Sequence, residues 1–211
     1  MDNLAHRYLL MDGEYAGTRK DGNFCADYSI LELYFEVLDE NLETIAELDL
    51  KIKPDNDQYL VSAKSLREIN FDLAAHDLVA ITEGKAKGLL YDFLNKYSDG
   101  GKIKLMPCGV NVKGDVDYIT QHKFISLGTW TNFCSHQTLD PSMIFMMLKI
   151  YGKMPQTIRP STGKISNALE AVAAYLKINT QNMHSAKKDV QVFKEVFKRL
   201  VKYIKNCPKF T

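Results

Sequence analysis

The chain has 211 residues, 45% apolar and 25% charged, which is the composition of a soluble globular protein and long enough for one domain with a sizeable core. A formal net charge of +1 excludes a molecule that binds polyanions through overall basicity. No apolar run approaches the roughly 18 residues of a membrane-crossing helix.

The charge is unevenly spread. Residues 1–57 hold 14 acidic against 5 basic side chains, a net of −9, and residues 186–211 hold 8 basic against 2 acidic, a net of +6. This suits an acidic metal site facing a phosphate-attracting flank, and equally a set of solvated helix faces. The first residues, MDNLAHRYLL, lack the pattern of a secretory leader, and Cys25, Cys108, Cys134 and Cys207 show no C-x-x-C or zinc spacing. The expectation is a cytoplasmic protein with reduced thiols.

In chain order, residues 7–11 read as a short buried strand and 30–38 (ILELYFEVL) as a second. Residues 44–53 alternate, with Ala46, Leu48, Leu50 and Ile52 on one face and Glu47, Asp49, Lys51 and Lys53 on the other, so the first 53 residues form an antiparallel meander. Helical spacing appears over 84–97, a short strand at 102–108, a short helix at 113–121 and another strand at 135–139. Asp140-Pro141 reads as an N-cap followed by proline at the first helical position, opening a helix whose methionines, 143–147, are assigned to the core. Helices at 164–177 and 185–205 follow, with 153–163 as a loop. The order predicts an α/β fold, a mixed sheet of three antiparallel strands followed by parallel strands and flanked by α-helices.

Three places carry paired polar groups. Asp12 and Glu14 follow the first apolar run and, two residues apart on a strand, point to one face. Like charges so placed repel unless a cation intervenes, although for so short and common a triplet alone a polar strand end, or a turn with Gly13, is the better reading. Asn111 and Asp115 share a helix face after a later strand, as a cap and first-turn acid would, while Asp117 points away. His184 and Asp189 bracket the start of the last helix, with Ser185 as its cap.

Taken in order, D-x-E, N-x-x-x-D and H-x-x-x-x-D resemble the DEDD exonuclease superfamily in its histidine-bearing subclass, which includes oligoribonuclease, ribonuclease T and the proofreading subunit of bacterial DNA polymerase III. Gly17 matches the glycine that usually follows the first motif, and Val110 and Gly114 stand where the family often has a histidine or serine and an aromatic. The resemblance implies a ribonuclease H-like fold forming a single exonuclease domain over 1–211. It implies Asp12, Glu14, Asp115 and Asp189 as metal-site carboxylates for two divalent ions, Mg²⁺ or Mn²⁺, and His184 as general base. Tyr15, Asn111 and Tyr118 are assigned to substrate contact. The expected partner is single-stranded nucleic acid with a free 3′ end, RNA or DNA, and a homodimer is a further expectation. The lysines of the last helix and Lys102, Lys104 and Lys113 are candidate steering charges, or solvated surface. The alternatives are a proofreading or repair exonuclease working with a polymerase, and a catalytically inactive nuclease fold that binds nucleic acid.

Overall fold

The computed structural model describes residues 7–20, 23–68, 71–181, 183 and 185–206. In chain order the elements are β1 (Arg7–Tyr15), β2 (Arg19–Lys20), β3 (Asn23–Phe24), β4 (Ile30–Leu38), β5 (Thr44–Lys53), α1 (Ala63–Glu68), α2 (Leu73–Asp77), β6 (Ile81–Thr82), α3 (Glu83–Tyr97), β7 (Leu105–Cys108), α4 (Val112–Gln121), α5 (Leu127–Phe133), α6 (Pro141–Ile150), α7 (Leu169–Tyr175) and α8 (Ala186–Asn206). Five strands form one sheet in the order β6-β5-β4-β1-β7. β1, β4 and β5 are the antiparallel meander, β7 runs parallel to β1, and β6 runs parallel to β5.

Strand alternation sorts the side chains between two faces. Leu9, Met11, Leu33, Phe35, Leu50 and Ile52 pack against Leu90, Leu94, Val112, Ile119, Trp130 and Phe133 from α3, α4 and α5. On the other face Leu10, Tyr34 and Leu38 meet Ala186, Val190, Phe193 and Phe197 of α8. That spacing of four, three and four is one stripe of a helix. α8 has a second buried stripe, Val192, Val196 and Leu200, which closes a smaller core with Phe145 and Leu148 of α6 and Val172 and Ala173 of α7. Each such large side chain contributes about 1.5–3 kcal/mol on burial, so α8 is held from two sides.

β4 and β5 have the predicted bounds, and Asp140 caps α6 by accepting from Ser142 N at 2.8 Å, with Pro141 at its start. Four expectations are corrected. β1 runs on to Tyr15, so Asp12 and Glu14 lie within the strand. Residues 135–139 follow β7 through only two isolated parallel bridges, Leu105 to Cys134 and Cys108 to Leu139, and form no continuous strand. The predicted helix at 164–177 shortens to α7 because the chain before it turns back on itself, with Ile158 opposite Ile165 and Ser166 N donating to Thr157 O at 3.0 Å. Met143 and Met147 are exposed, not core: the buried stripe of α6 passes through Phe145 and Leu148, and these two methionines lie on the other side.

The lysines are also placed. Among the α8 lysines, Lys187 reaches Glu47 and Asp49, Lys194 pairs with buried Glu36 at 2.6 Å, and Lys198 pairs with Glu43 at 3.2 Å. Much of the sequence's charge asymmetry is thus internal, the basic helix lying over the acidic edge of the meander. Lys102 pairs with Asp99, Lys104 donates to the carbonyls of Thr131 and Asn132, and Lys113 pairs with Asp117 at 2.9 Å. Among the described residues no helix is long and apolar enough to cross a membrane.

Candidate active site

The candidate residues meet at the C-terminal ends of the neighbouring parallel strands β1 and β7, the usual position for a site in a sheet of this kind. β1 delivers Asp12 and Glu14 on the α8 face. α8 delivers Asp189 in its first turn, where the helix dipole favours a carboxylate, and Asp189 N donates to Ser185 O at 3.0 Å. Asp12, Glu14 and Asp189 each offer a carboxylate oxygen, and these atoms lie within 4.8 Å of one another.

Asp115 approaches from α4, on the far side of β1. It is outside that trio, but its charge acts on Asp12. Its brace comes from β1: the Tyr15 hydroxyl donates to Asp115 Oδ1 at 2.9 Å. The Tyr15 ring stacks on Tyr118, centroids 3.9 Å apart. Gly13 makes room for this arrangement, since a Cβ there would fall 2.4 Å from the Tyr15 hydroxyl oxygen. Tyr15 thus braces Asp115 across elements, from β1 to α4.

Tyr118 is corrected as a substrate contact. It has no exposed surface, and its hydroxyl donates to Gly17 O at 2.9 Å and Tyr28 O at 2.7 Å, so it holds the chain that follows β1. Asn111 is exposed and in the left-handed region (φ 55°), a conformation asparagine tolerates well; its side chain makes no capping bond, and its N–H donates to Asp140 Oδ2 at 2.9 Å. Gly109, just before it, brings β7 against β1: a Cβ there would meet Met11 O at 2.7 Å. Asp117 pairs with Lys113 at the surface, away from the trio, as its spacing requires. His184 lies outside the described residues.

The carboxylates are electrostatically frustrated without a cation. Burial, followed by the charges of Asp115, Glu14 and Asp189, holds the Asp12 carboxyl well above its ordinary value. Burial and the charges of Asp189, Glu32 and Asp115 push Glu14 up to about 8, with Lys51 opposing. Burial pushes Asp115 up to about 7, against the bond from Tyr15. Among the described residues the trio is three carboxylates, a hard-oxygen donor set that suits a hard divalent cation.

Asp12 and Asp189 open onto a cleft of about 460 Å³, walled by Gly109, Val110, Leu169, Met183 and Phe193 and by a polar group the sequence did not single out. There Glu170 accepts from Arg159 Nε at 2.9 Å and from the Ser161 hydroxyl at 3.0 Å. The only local signal was that 153–163 reads as a loop.

No protein-family model matches the chain, and no curated protein matches it. Solved structures do. E. coli Exonuclease I in complex with a dT13 oligonucleotide superposes with a TM-score of 0.68 at 16% identity, over 94% of this chain and 43% of that one. The complex of the same enzyme with a 5cy-dA13 oligonucleotide gives 0.70 at 15% identity, over 94% and 40%. The zinc-bound form of its complex with single-stranded DNA gives 0.68 at 18% identity, over 94% and 42%. The fold is therefore ribonuclease H-like, and the chain spans less than half the length of these exonucleases.

Proposed function

We propose that this chain is a metal-dependent 3′→5′ exonuclease that removes nucleoside 5′-monophosphates from single-stranded nucleic acid, with DNA the favoured substrate. The observation that carries the reading is the convergence of Asp12, Glu14 and Asp189 within 4.8 Å, two of them, Asp12 and Asp189, lining the cleft. The likeness in fold to Exonuclease I, whose structures hold dT13 and single-stranded DNA, supports the substrate class. On this reading residues 1–211 are a single exonuclease domain.

Asp12, Glu14 and Asp189, with Asp115 from the other side of β1, would hold two Mg²⁺ or Mn²⁺ ions. Such ions neutralise the scissile phosphate and ease deprotonation of the attacking water. Asp12 feels the charges of Asp115, Glu14 and Asp189 together, so a bound cation would relieve repulsion there from all three. Tyr15 keeps Asp115 directed at the site. His184, five residues before Asp189, takes the proton from the attacking water, the role for which an imidazole is suited near neutral pH. The cleft wall at Val110, Leu169 and Phe193 receives the terminal nucleoside.

The test is degradation of 5′-labelled single-stranded DNA and RNA of one sequence with Mg²⁺ or Mn²⁺. A ladder shortening from the 3′ end is expected, faster on DNA, abolished by EDTA and reduced at least ~10²-fold in Asp12→Asn. Folded protein that leaves both strands intact with metal present would overturn the reading and favour a binding role.

A further inference from the structure

A polar row crosses three strands beneath the start of α8. Glu14 on β1 lies directly opposite Glu32 on β4, and Glu32 directly opposite Lys51 on β5. Such pairs bring their Cβ atoms to about 4.5–5.5 Å. Glu32 is only 8% exposed. Its Oε1 lies 2.7 Å from Lys51 Nζ, while its Oε2 is buried with no hydrogen-bond partner among the described residues. A buried acceptor left bare is destabilising, more so when charged, and a like charge directly across the strands adds to that. Lys51 does not require Glu32, because Asp49 lies 3.8 Å from the same ammonium. The pair therefore stabilises the metal-free fold poorly, and the bare oxygen is on the side of the sheet where Asp12, Glu14 and Asp189 converge.

We propose that Glu32 is a positioning residue of the cation site, its Oε2 accepting a hydrogen bond from the hydration shell of an ion held at Asp12, Glu14 and Asp189, with Lys51 anchoring Oε1. This rests on the metal-site reading above and extends it to residues that the sequence motifs do not contain.

The experiment is Mn²⁺ titration of the full chain by calorimetry, with thermal melts in EDTA and in saturating Mn²⁺ at pH 8. It compares wild type, Glu32→Gln, Lys51→Gln and, as control, Asp12→Asn. Glu32→Gln is expected to lose 10–100-fold in Mn²⁺ affinity, the usual cost of removing such a supporting group. Its melting point in EDTA should equal or exceed that of wild type, and its rise with Mn²⁺ should shrink. Lys51→Gln, which leaves the carboxylates without their lysine, should melt lower in EDTA and gain more from Mn²⁺ than wild type does. Wild-type affinity in Glu32→Gln, together with a lower melting point in EDTA, would overturn the proposal and leave Glu32 a partner of Lys51 alone. Should Glu32→Gln not fold, a rise with Mn²⁺ in Lys51→Gln no larger than wild type would overturn it. Wild-type protein that binds no Mn²⁺ would overturn the metal-site reading and this proposal together, whereas loss confined to Asp12→Asn would remove only this one.

Discussion

Glu14 should make the metal-free protein less stable as pH rises. In the unfolded chain its carboxyl titrates near 4.5; in the fold, burial and the charges of Asp189, Glu32 and Asp115 hold the proton to about 8. The folded state binds that proton more tightly, so its contribution to stability is fully present below pH 4.5 and is lost as pH rises through about 8. The difference corresponds to about 3–5 kcal/mol, the lower figure allowing for solvent screening of a half-buried group. That is a large share of the roughly 5–15 kcal/mol that stabilises a domain. Urea unfolding followed by circular dichroism, in EDTA at pH 5, 7 and 9, would compare wild type with Glu14→Gln. Groups such as His122 and Glu83 are common to both proteins and cancel in the difference. Wild type should lose about 2–4 kcal/mol relative to the variant between pH 5 and 9, making Glu14→Gln the more stable protein at pH 9. Saturating Mn²⁺ should reverse that order by stabilising the ionised carboxylate. Parallel curves for the two proteins in EDTA across this range would refute the argument.

Four further outcomes are expected. Tyr15→Phe removes the donor to half-buried Asp115 and should cost about 1–3 kcal/mol in urea unfolding while lowering cleavage in the ladder assay. Gly109→Ala, with its Cβ 2.7 Å from Met11 O, should destabilise by about 1–3 kcal/mol and slow cleavage, since the carbonyl it pushes precedes Asp12. Phe193→Ala opens a cavity between α8 and the sheet and should cost about 3–5 kcal/mol, read in the same unfolding experiment. Arg159→Ala removes a cation from the cleft wall; it should raise KM for an oligonucleotide with kcat little changed, and flatten the logarithmic salt dependence of binding by about 0.7.

What could be read from the sequence was whatever recurs at a strand or helix period. The alternation of 44–53 placed β5 correctly, and the two-residue spacing of Asp12 and Glu14 put both on one face, where Asp189 joins them. Asp189 itself was reached through motif order, because nothing in its neighbourhood tells a metal-site acid from one that complements a helix dipole. Glu32 and Lys51 were not legible as site residues. Their relation to Glu14 depends on the register between strands, and ILELYFEVL shows only that the strand is buried. Tyr118 entered as a substrate contact through the family resemblance, and no local signal shows that its hydroxyl is taken up by the Gly17 and Tyr28 carbonyls. Met143 and Met147 were assigned to the core on apolarity alone, when only one stripe of α6 has a neighbour to pack against. The short helices α2 and α5 were passed over although Asp72 and Ser126 cap them in the ordinary way; their five and seven residues are too few for a period to emerge.

The carboxylate trio draws one member from the last helix and two from the first strand. During synthesis, therefore, the sheet can be laid down long before the helix that completes the site leaves the ribosome, since chains emerge N-terminal end first. On the proposed reading, a nascent chain surrounded by messenger RNA has no functioning nuclease until α8 docks. On the same reading, cation binding would report maturation: a chain that holds the ion at the trio has α8 in place.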